Sequence, residues 1–452
     1  MNFNSPEFIF IFFIAIISIY YLSPRQFRIP VLFLSSIFFY GFSGDMAAAM
    51  LLLTIAWAAV FGLVLERGRN IWLLGVAVSF PLAILFLFKY LDFTISAVDP
   101  GGESRDFFAP ILKYSLPAGI SFYTFQIVGY LIDVRDGKIS ADRKFIIFSS
   151  FATFFPQLIA GPILRFHELR DQLINISENQ KINFDFRRGI KYLSFGLGYK
   201  IFCADILRHF QESYTITADS GSLDALYSVL SYSFIIYFDF WAYSLMAIGI
   251  AKLFGIEIPR NFREPYLAFS PKEFWRRWHI TLSLWLRDYL YFRIGGNKHY
   301  VRNIAVVFIA CGIWHGAGWN FIVWGAYHAI LVITYHYSRT YWDKLPRVAG
   351  VGITFILVTL GWPLFYLELG PFVDLITILF SGRESTSGAQ FGILHWAYTA
   401  IVSSLVFVAR EDNWLFNEKP MIIVDSPVFQ GAVFSISVVF FHFGMTFIYF
   451  RF

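Results

Sequence analysis

Long apolar runs decide what this chain can fold into. They lie near Phe8–Leu22, Val31–Tyr40, Met46–Leu65, Ile71–Phe88, Leu116–Ile132, Phe145–Ala160 and Ile190–Leu207. Others lie near Leu226–Phe254, Ile304–Trp314, Phe321–Tyr335, Val348–Leu367, Phe391–Val408 and Val428–Phe450. A helix needs about 20 mostly apolar residues to cross a bilayer, and runs shorter than that suit buried, re-entrant or interfacial helices. The sequence therefore predicts an all-α, polytopic integral membrane protein with roughly ten to thirteen membrane segments.

Composition agrees. Of 452 residues 57% are hydrophobic and 15% charged, against roughly 25% charged in a soluble domain, an apolar excess too large for a water-soluble core. Aromatic residues make up 21%, with 55 Phe to face lipid, leaving Tyr and Trp for the two interfaces. The net charge of +5 is small, and its basic residues fall in the gaps between apolar runs. That is loop patterning and not a nucleic-acid footprint. Cys203 and Cys311 both sit in apolar stretches, which supports neither a disulfide framework nor a thiolate metal site. The start, Met1 to Glu7, lacks the positive region of a cleavable signal, so the first helix is expected to stay. The polar stretches Ser96–Arg105, Asp171–Asp185 and Ser381–Gln390 are short, and the chain reads as a single domain over 1–452. No internal repeat is visible, which disfavours the repeated halves of many transporters.

The segment Arg260–Arg302 differs from the rest, with nine Lys or Arg against three Asp or Glu, and Phe274, Trp275, Trp278, Trp285 and Tyr289 among them. Positive-inside statistics place it on the cytoplasmic side. Ser270-Pro271-Lys272-Glu273 reads as a helix start, with a Ser cap, Pro at the first position and Glu to close a capping box. Continuing at helical spacing, Phe274, Trp278, Leu282, Trp285 and Tyr289 form one stripe, while Arg276 and Arg287 share another face. The expectation is an amphipathic helix near 270–293 at the membrane surface. From spacing alone the arginines serve equally as anchors for lipid headgroups, and His279 as an interfacial residue.

The sharper signal is Cys311-Gly312-Ile313-Trp314-His315-Gly316-Ala317-Gly318-Trp319, an ionisable side chain at membrane depth. Such groups are costly and mark function. Imidazole matches proton transfer near neutral pH, and desolvation favours its neutral, basic form. Gly312, Gly316 and Gly318 permit close approach of a backbone or a substrate. A histidine bonding across helices remains the alternative. On one continuous helix His328 would lie about 220° from His315, so the glycines between them predict two segments joined by a break. His328 then either approaches the same cavity or bonds locally. Asp239 is a further acid in an apolar run. There is no phosphate-cradling loop, no His-Glu-x-x-His, no Cys cluster and no Gly-x-Ser-x-Gly elbow, so no metal site is expected.

At these residues the chain resembles the membrane-bound O-acyltransferase (MBOAT) family, most closely its bacterial alginate and peptidoglycan O-acetyltransferase branch. The resemblance is carried by LPAGISFYTFQ (Leu116–Gln126), by FPQLIAGP (Phe155–Pro162), and by NFREPY (Asn261–Tyr266) running through FWRRWH (Phe274–His279) to LRDYLY (Leu286–Tyr291). It continues in WHGAGW (Trp314–Trp319) and in the closing FIYFRF (Phe447–Phe452). In DFWAYSL (Asp239–Leu245), Leu245 stands where alginate-type relatives carry an acid, a lean toward the teichoic-acid D-alanylation relatives. Gly295-Gly296-Asn297 leans the other way.

The resemblance implies an MBOAT-type helical bundle with a buried tunnel, His315 as the catalytic base and His279 as an accessory donor. Asp239, Arg276, Trp278, Asp288, Trp314, Asn320 and His328 become candidates for the donor tunnel or substrate contacts. The implied reaction takes an acetyl group from acetyl-CoA or an acyl carrier, with no bound cofactor, to a hydroxyl of an extracytoplasmic polysaccharide, alginate-like or another envelope glycan. Transfer is direct or through a serine-hydrolase-like partner, in a bacterial cytoplasmic membrane. The competing readings are a transporter or flippase, or D-alanyl-type transfer to a teichoic-acid-like acceptor.

Overall fold

The computed structural model describes residues 3–99, 101, 103–178, 184–213, 216–217, 219–386, 388, 390–417, 421–441 and 444–448. Among them all regular structure is helical. Among the described residues, four helices are long and apolar enough to cross a membrane: Asp45–Gly68, Ile71–Val98, Ser222–Leu253 and Arg347–Phe365. Most other apolar runs form shorter or interrupted helices, and the run near Val428–Phe450 yields the helix Pro427–Val439. The end of that run, residues 449–452 of the closing motif and parts of the three polar stretches lie outside the described residues.

The chain packs into two compact units, Met1–Leu193 with Ser244–Pro259, and Ser194–Tyr243 with Arg260–Phe452. One division between them falls within the helix Ser222–Leu253, not at a linker, so composition shows no break there. This helix is entirely buried across its apolar window, whereas Asp45–Gly68 and Ile71–Val98 are 33% and 28% buried. A helix apolar all round is either interior or lipid-facing, and burial separates the two kinds. The interior helix holds Ser228, Ser231, Ser233 and Asp239 with partners for them. Ser233 Oγ, for example, donates to Val229 O and Thr359 Oγ1, each at 3.1 Å.

Within the first unit, two of the motif stretches lock together. Gly119 takes a left-handed conformation (φ +71°), and a Cβ there would collide with the carbonyl oxygen of Leu158. Only glycine permits both that turn and that approach. Farther along the helix Ile120–Arg135, the Gln126 side chain donates to Gln157. Tyr20 and Tyr21 tie the first helix to Phe254 O and Leu253 O at 2.9 and 2.6 Å.

In the second unit, the helices Tyr300–His315 and Trp319–Trp342 pack side by side as a hairpin. The glycines set their spacing. A Cβ on Gly312 would strike Phe321 O, and one on Gly325 would strike Phe308 O. This is the close approach that small residues allow between membrane helices.

The expected continuous helix over 270–293 is instead three short pieces: Pro271–Arg277, Ile280–Leu286 and a wider turn over Arg287–Tyr291. Its start is as expected, with Ser270 Oγ accepting from Glu273 N at 3.2 Å, although the Glu273 carboxylate turns back to Phe269 N and not to the cap residue. The chain then breaks, with Trp278 extended and His279 left-handed (φ +41°). The segment Asn261–Arg263 satisfies backbone groups at the break: Arg263 N donates to Arg277 O at 3.0 Å, and Asn261 O accepts from Ile280 N at 2.8 Å. The side chains Phe274, Trp278, Leu282, Trp285 and Tyr289 are therefore not one surface stripe. All five are buried.

Candidate active site

The same break delivers His279 to the interior. Its ring, 1% exposed, lies edge-on to Phe240 at 4.7 Å between centroids and 5.7 Å from Trp314. A left-handed backbone in a non-glycine residue costs about 1–3 kcal/mol and tends to mark functional sites. Here it is held by the flanking hydrogen bonds to Asn261. Burial pushes the His279 pKa down to about 3, so the imidazole is neutral throughout the physiological range.

His315 reaches the same place by another route. It is the last residue of its helix, 3% exposed, and Gly316 redirects the chain before Trp319. A Cβ at Gly316 would overlap the Phe321 ring, so only glycine lets the chain turn this tightly over the histidine. The His315 ring is enclosed by Trp314 (4.9 Å), Trp324 (5.2 Å) and Phe365 (5.0 Å), all near edge-to-face. The two imidazoles lie 6.4 Å apart between centroids.

The other candidates separate into groups. Trp314 and Trp278 belong to the walls: Trp278 is 1% exposed and packs against Trp362 at 4.6 Å and Phe262 at 4.9 Å. Asn320 acts on the wall, since its Nδ2 donates to Leu364 O at 2.8 Å and so fixes the turn that carries Phe365. His328 is fully buried one aromatic ring away, caged by Trp324 (4.7 Å) and Trp275 (5.0 Å). Neither of its ring nitrogens makes a hydrogen bond among the described residues. Arg276 is exposed, and Asp288 pairs with its neighbour Arg287 at 2.7 Å. Asp239 lies elsewhere, in a buried ion pair with Lys200 at 2.7 Å.

Sequence reasoning passed over Lys200, Asp205 and Glu411. Lys200 and Asp205 sit in the apolar run Ile190–Leu207, and the depth criterion that singled out Asp239 applies to them equally. Glu411 sits at a segment end, where nothing in the pattern predicts burial. Among the described residues no group of three or more His, Cys, Asp or Glu side chains could hold a metal ion.

Residues 138–365 match the membrane-bound O-acyltransferase family. The chain is 35% identical to the probable alginate O-acetylase AlgI of Pseudomonas syringae pv. tomato, over 93% of this chain and 84% of the relative. It is 34% identical to the peptidoglycan O-acetyltransferase of Helicobacter pylori, over 80% and 76%. It is 29% identical to the teichoic acid D-alanyltransferase of Bacillus subtilis, over 55% and 68%.

Proposed function

Since this chain belongs to the membrane-bound O-acyltransferase family and is an acyltransferase, we propose that it carries an acetyl group from a cytoplasmic thioester to a hydroxyl of an extracytoplasmic envelope glycan. The observation that supports this most is the buried His279–His315 pair inside an aromatic enclosure. Acetyl-CoA or an acyl carrier approaches from the side of the basic segment Arg260–Arg302, where positive-inside statistics place the cytoplasm. The acceptor approaches from the other side. The first acceptor is either the glycan or a serine of an extracytoplasmic hydrolase-like partner in the same bacterial cytoplasmic membrane system.

In this reading neutral His315 takes the proton of the acceptor hydroxyl as its oxygen attacks the thioester carbonyl. The tetrahedral oxyanion is steadied by a donated hydrogen bond from His279, which burial keeps neutral and which therefore still carries one N–H. Collapse breaks the C–S bond, and the imidazolium of His315 returns its proton to the departing thiolate. Trp314, Trp324 and Phe365 keep water from intercepting the thioester. The relatives named for alginate and peptidoglycan support acetyl as the group and a glycan as the acceptor class.

Sidedness tests the proposal. Radiolabelled acetyl-CoA given to sealed membrane vesicles of known orientation should label envelope glycan only when it meets the face bearing Arg260–Arg302. Labelling from either face, or glycan movement without ester formation, would instead support the transporter reading.

A further inference from the structure

The acyl-transfer scheme leaves one buried ionic group without a task. Lys200 Nζ bridges Asp205 Oδ1 at 2.5 Å and Asp239 Oδ1 at 2.7 Å, with all three side chains at most 1% exposed. Lys200 and Asp205 are five apart, which on an α-helix sets them about 140° from each other. The helix widens to a π turn over Tyr199–Asp205, whose i→i+5 repeat brings them to one face; such turns often occur at functional sites.

The outer oxygens of both carboxylates are occupied by the end of the chain. Asp205 Oδ2 accepts from Met445 N at 3.1 Å, and Asp239 Oδ2 accepts from Ile448 N at 2.8 Å. Between them the Phe447 ring lies 4.5 Å from Lys200 Nζ, and Arg208 Nη1 donates to Thr446 O at 2.8 Å. Buried charges persist only when paired and hydrogen-bonded, so the strap Met445–Ile448 and the ionic cluster of Lys200, Asp205 and Asp239 depend on each other.

The strap borders a cavity of about 1100 Å³ lined by Arg208, Ser228, Tyr232, Phe365, Tyr366 and Ile448, among others. Phe365 is the same ring that touches His315. The helix Arg347–Phe365 starts beside the basic segment, where Thr354 Oγ1 and Trp342 Nε1 both donate to Phe269 O, and runs past the histidine to Tyr366. The cavity therefore lies beyond His315 on the side away from the basic segment.

We propose that Lys200, Asp205 and Asp239 are positioning residues that seat the strap Met445–Ile448 as a wall of the chamber through which the acceptor, a polyhydroxylated glycan segment, reaches His315. This rests on the reading of His315 as the transfer centre. Tyr232 and Tyr366, 4.3 Å apart between centroids, offer ring faces for sugar C–H groups, with Ser228 and Arg208 as polar partners. Releasing the strap removes a wall on the acceptor side and leaves the histidine pair in place.

The test compares full-length wild type with Lys200→Met, Asp239→Asn and Ile448→Pro, the last removing one strap N–H while keeping every charge. Two quantities are read: hydrogen–deuterium exchange, and acetyl esters on envelope glycan at matched protein level. The strap amides should exchange at least tenfold faster in each variant, exchange over 300–328 should be unchanged, and ester formation should fall at least tenfold. A strap that stays protected, equal loss of protection over 300–328, or a freed strap with full ester content each overturns the proposal. His315→Ala run alongside separates the two readings. If it keeps its esters the transfer centre is wrong, and if it loses them while strap-freed variants do not, only the strap role is wrong.

Discussion

The rings of His279 and His315 stand 6.4 Å apart, and each is placed by a backbone feature that an uninterrupted helix would not provide. His279 sits at a left-handed break and His315 at a helix end closed by Gly316. The distance thus depends on two local interruptions held by the packing of Trp278, Trp314 and Trp324.

If His315 is the base and His279 the oxyanion donor, their losses differ in kind. His315→Ala should abolish acetyl transfer. His279→Ala should slow it by about 10²–10³-fold, the usual effect of removing one such donor, and His279→Asn should retain more activity because an amide still donates. Rates of ester formation at equal protein level in membranes decide this, and a full rate in His279→Ala would remove it from the mechanism. Because burial holds the His279 pKa near 3, replacing it should change the height of the rate profile between pH 5 and 8 and not its inflections.

Glu411 provides a pH-dependent stability test. It starts a short helix outside the membrane-spanning segments, and burial pushes its pKa up to about 7. A carboxyl raised above its unfolded value of 4.5 favours the fold fully below pH 4.5, and this contribution is lost as pH rises through about 7. Glu411→Gln should therefore match wild type in thermal stability near pH 5 and exceed it at pH 8, by on the order of 3 kcal/mol or less. Melting curves in detergent at the two pH values measure this, and a gap that widens toward acid would reverse the assignment.

The hairpin glycines carry a packing prediction. Gly312→Ala and Gly325→Ala each drive a methyl group into a facing carbonyl, an overpacking that costs about 1–3 kcal/mol and moves the helix that ends in His315. Both should lower the melting temperature and the transfer rate together. Gly352→Ala, with open space at the same atom, should do neither.

Much of this was legible in the sequence, because hydropathy and depth are local properties. The apolar runs, the Ser270 cap and the break after His315 all follow from residue type and spacing. The break at Trp278–His279 does not, since the apolar spacing runs through it without a Gly or Pro. What stabilises the break is Asn261, remote in sequence. Likewise Asp239 is conspicuous as an acid in an apolar run, but its partner Lys200 becomes available only through a π turn and long-range packing. Burial of Glu411 is a tertiary outcome with no periodic signature.

The most direct test of the central claim is mass spectrometry of envelope glycans from cells carrying the wild-type chain or His315→Ala at equal membrane abundance. Acetyl esters should fall in the variant to the level of cells lacking the gene. Unchanged ester content with a correctly inserted His315→Ala protein would contradict it.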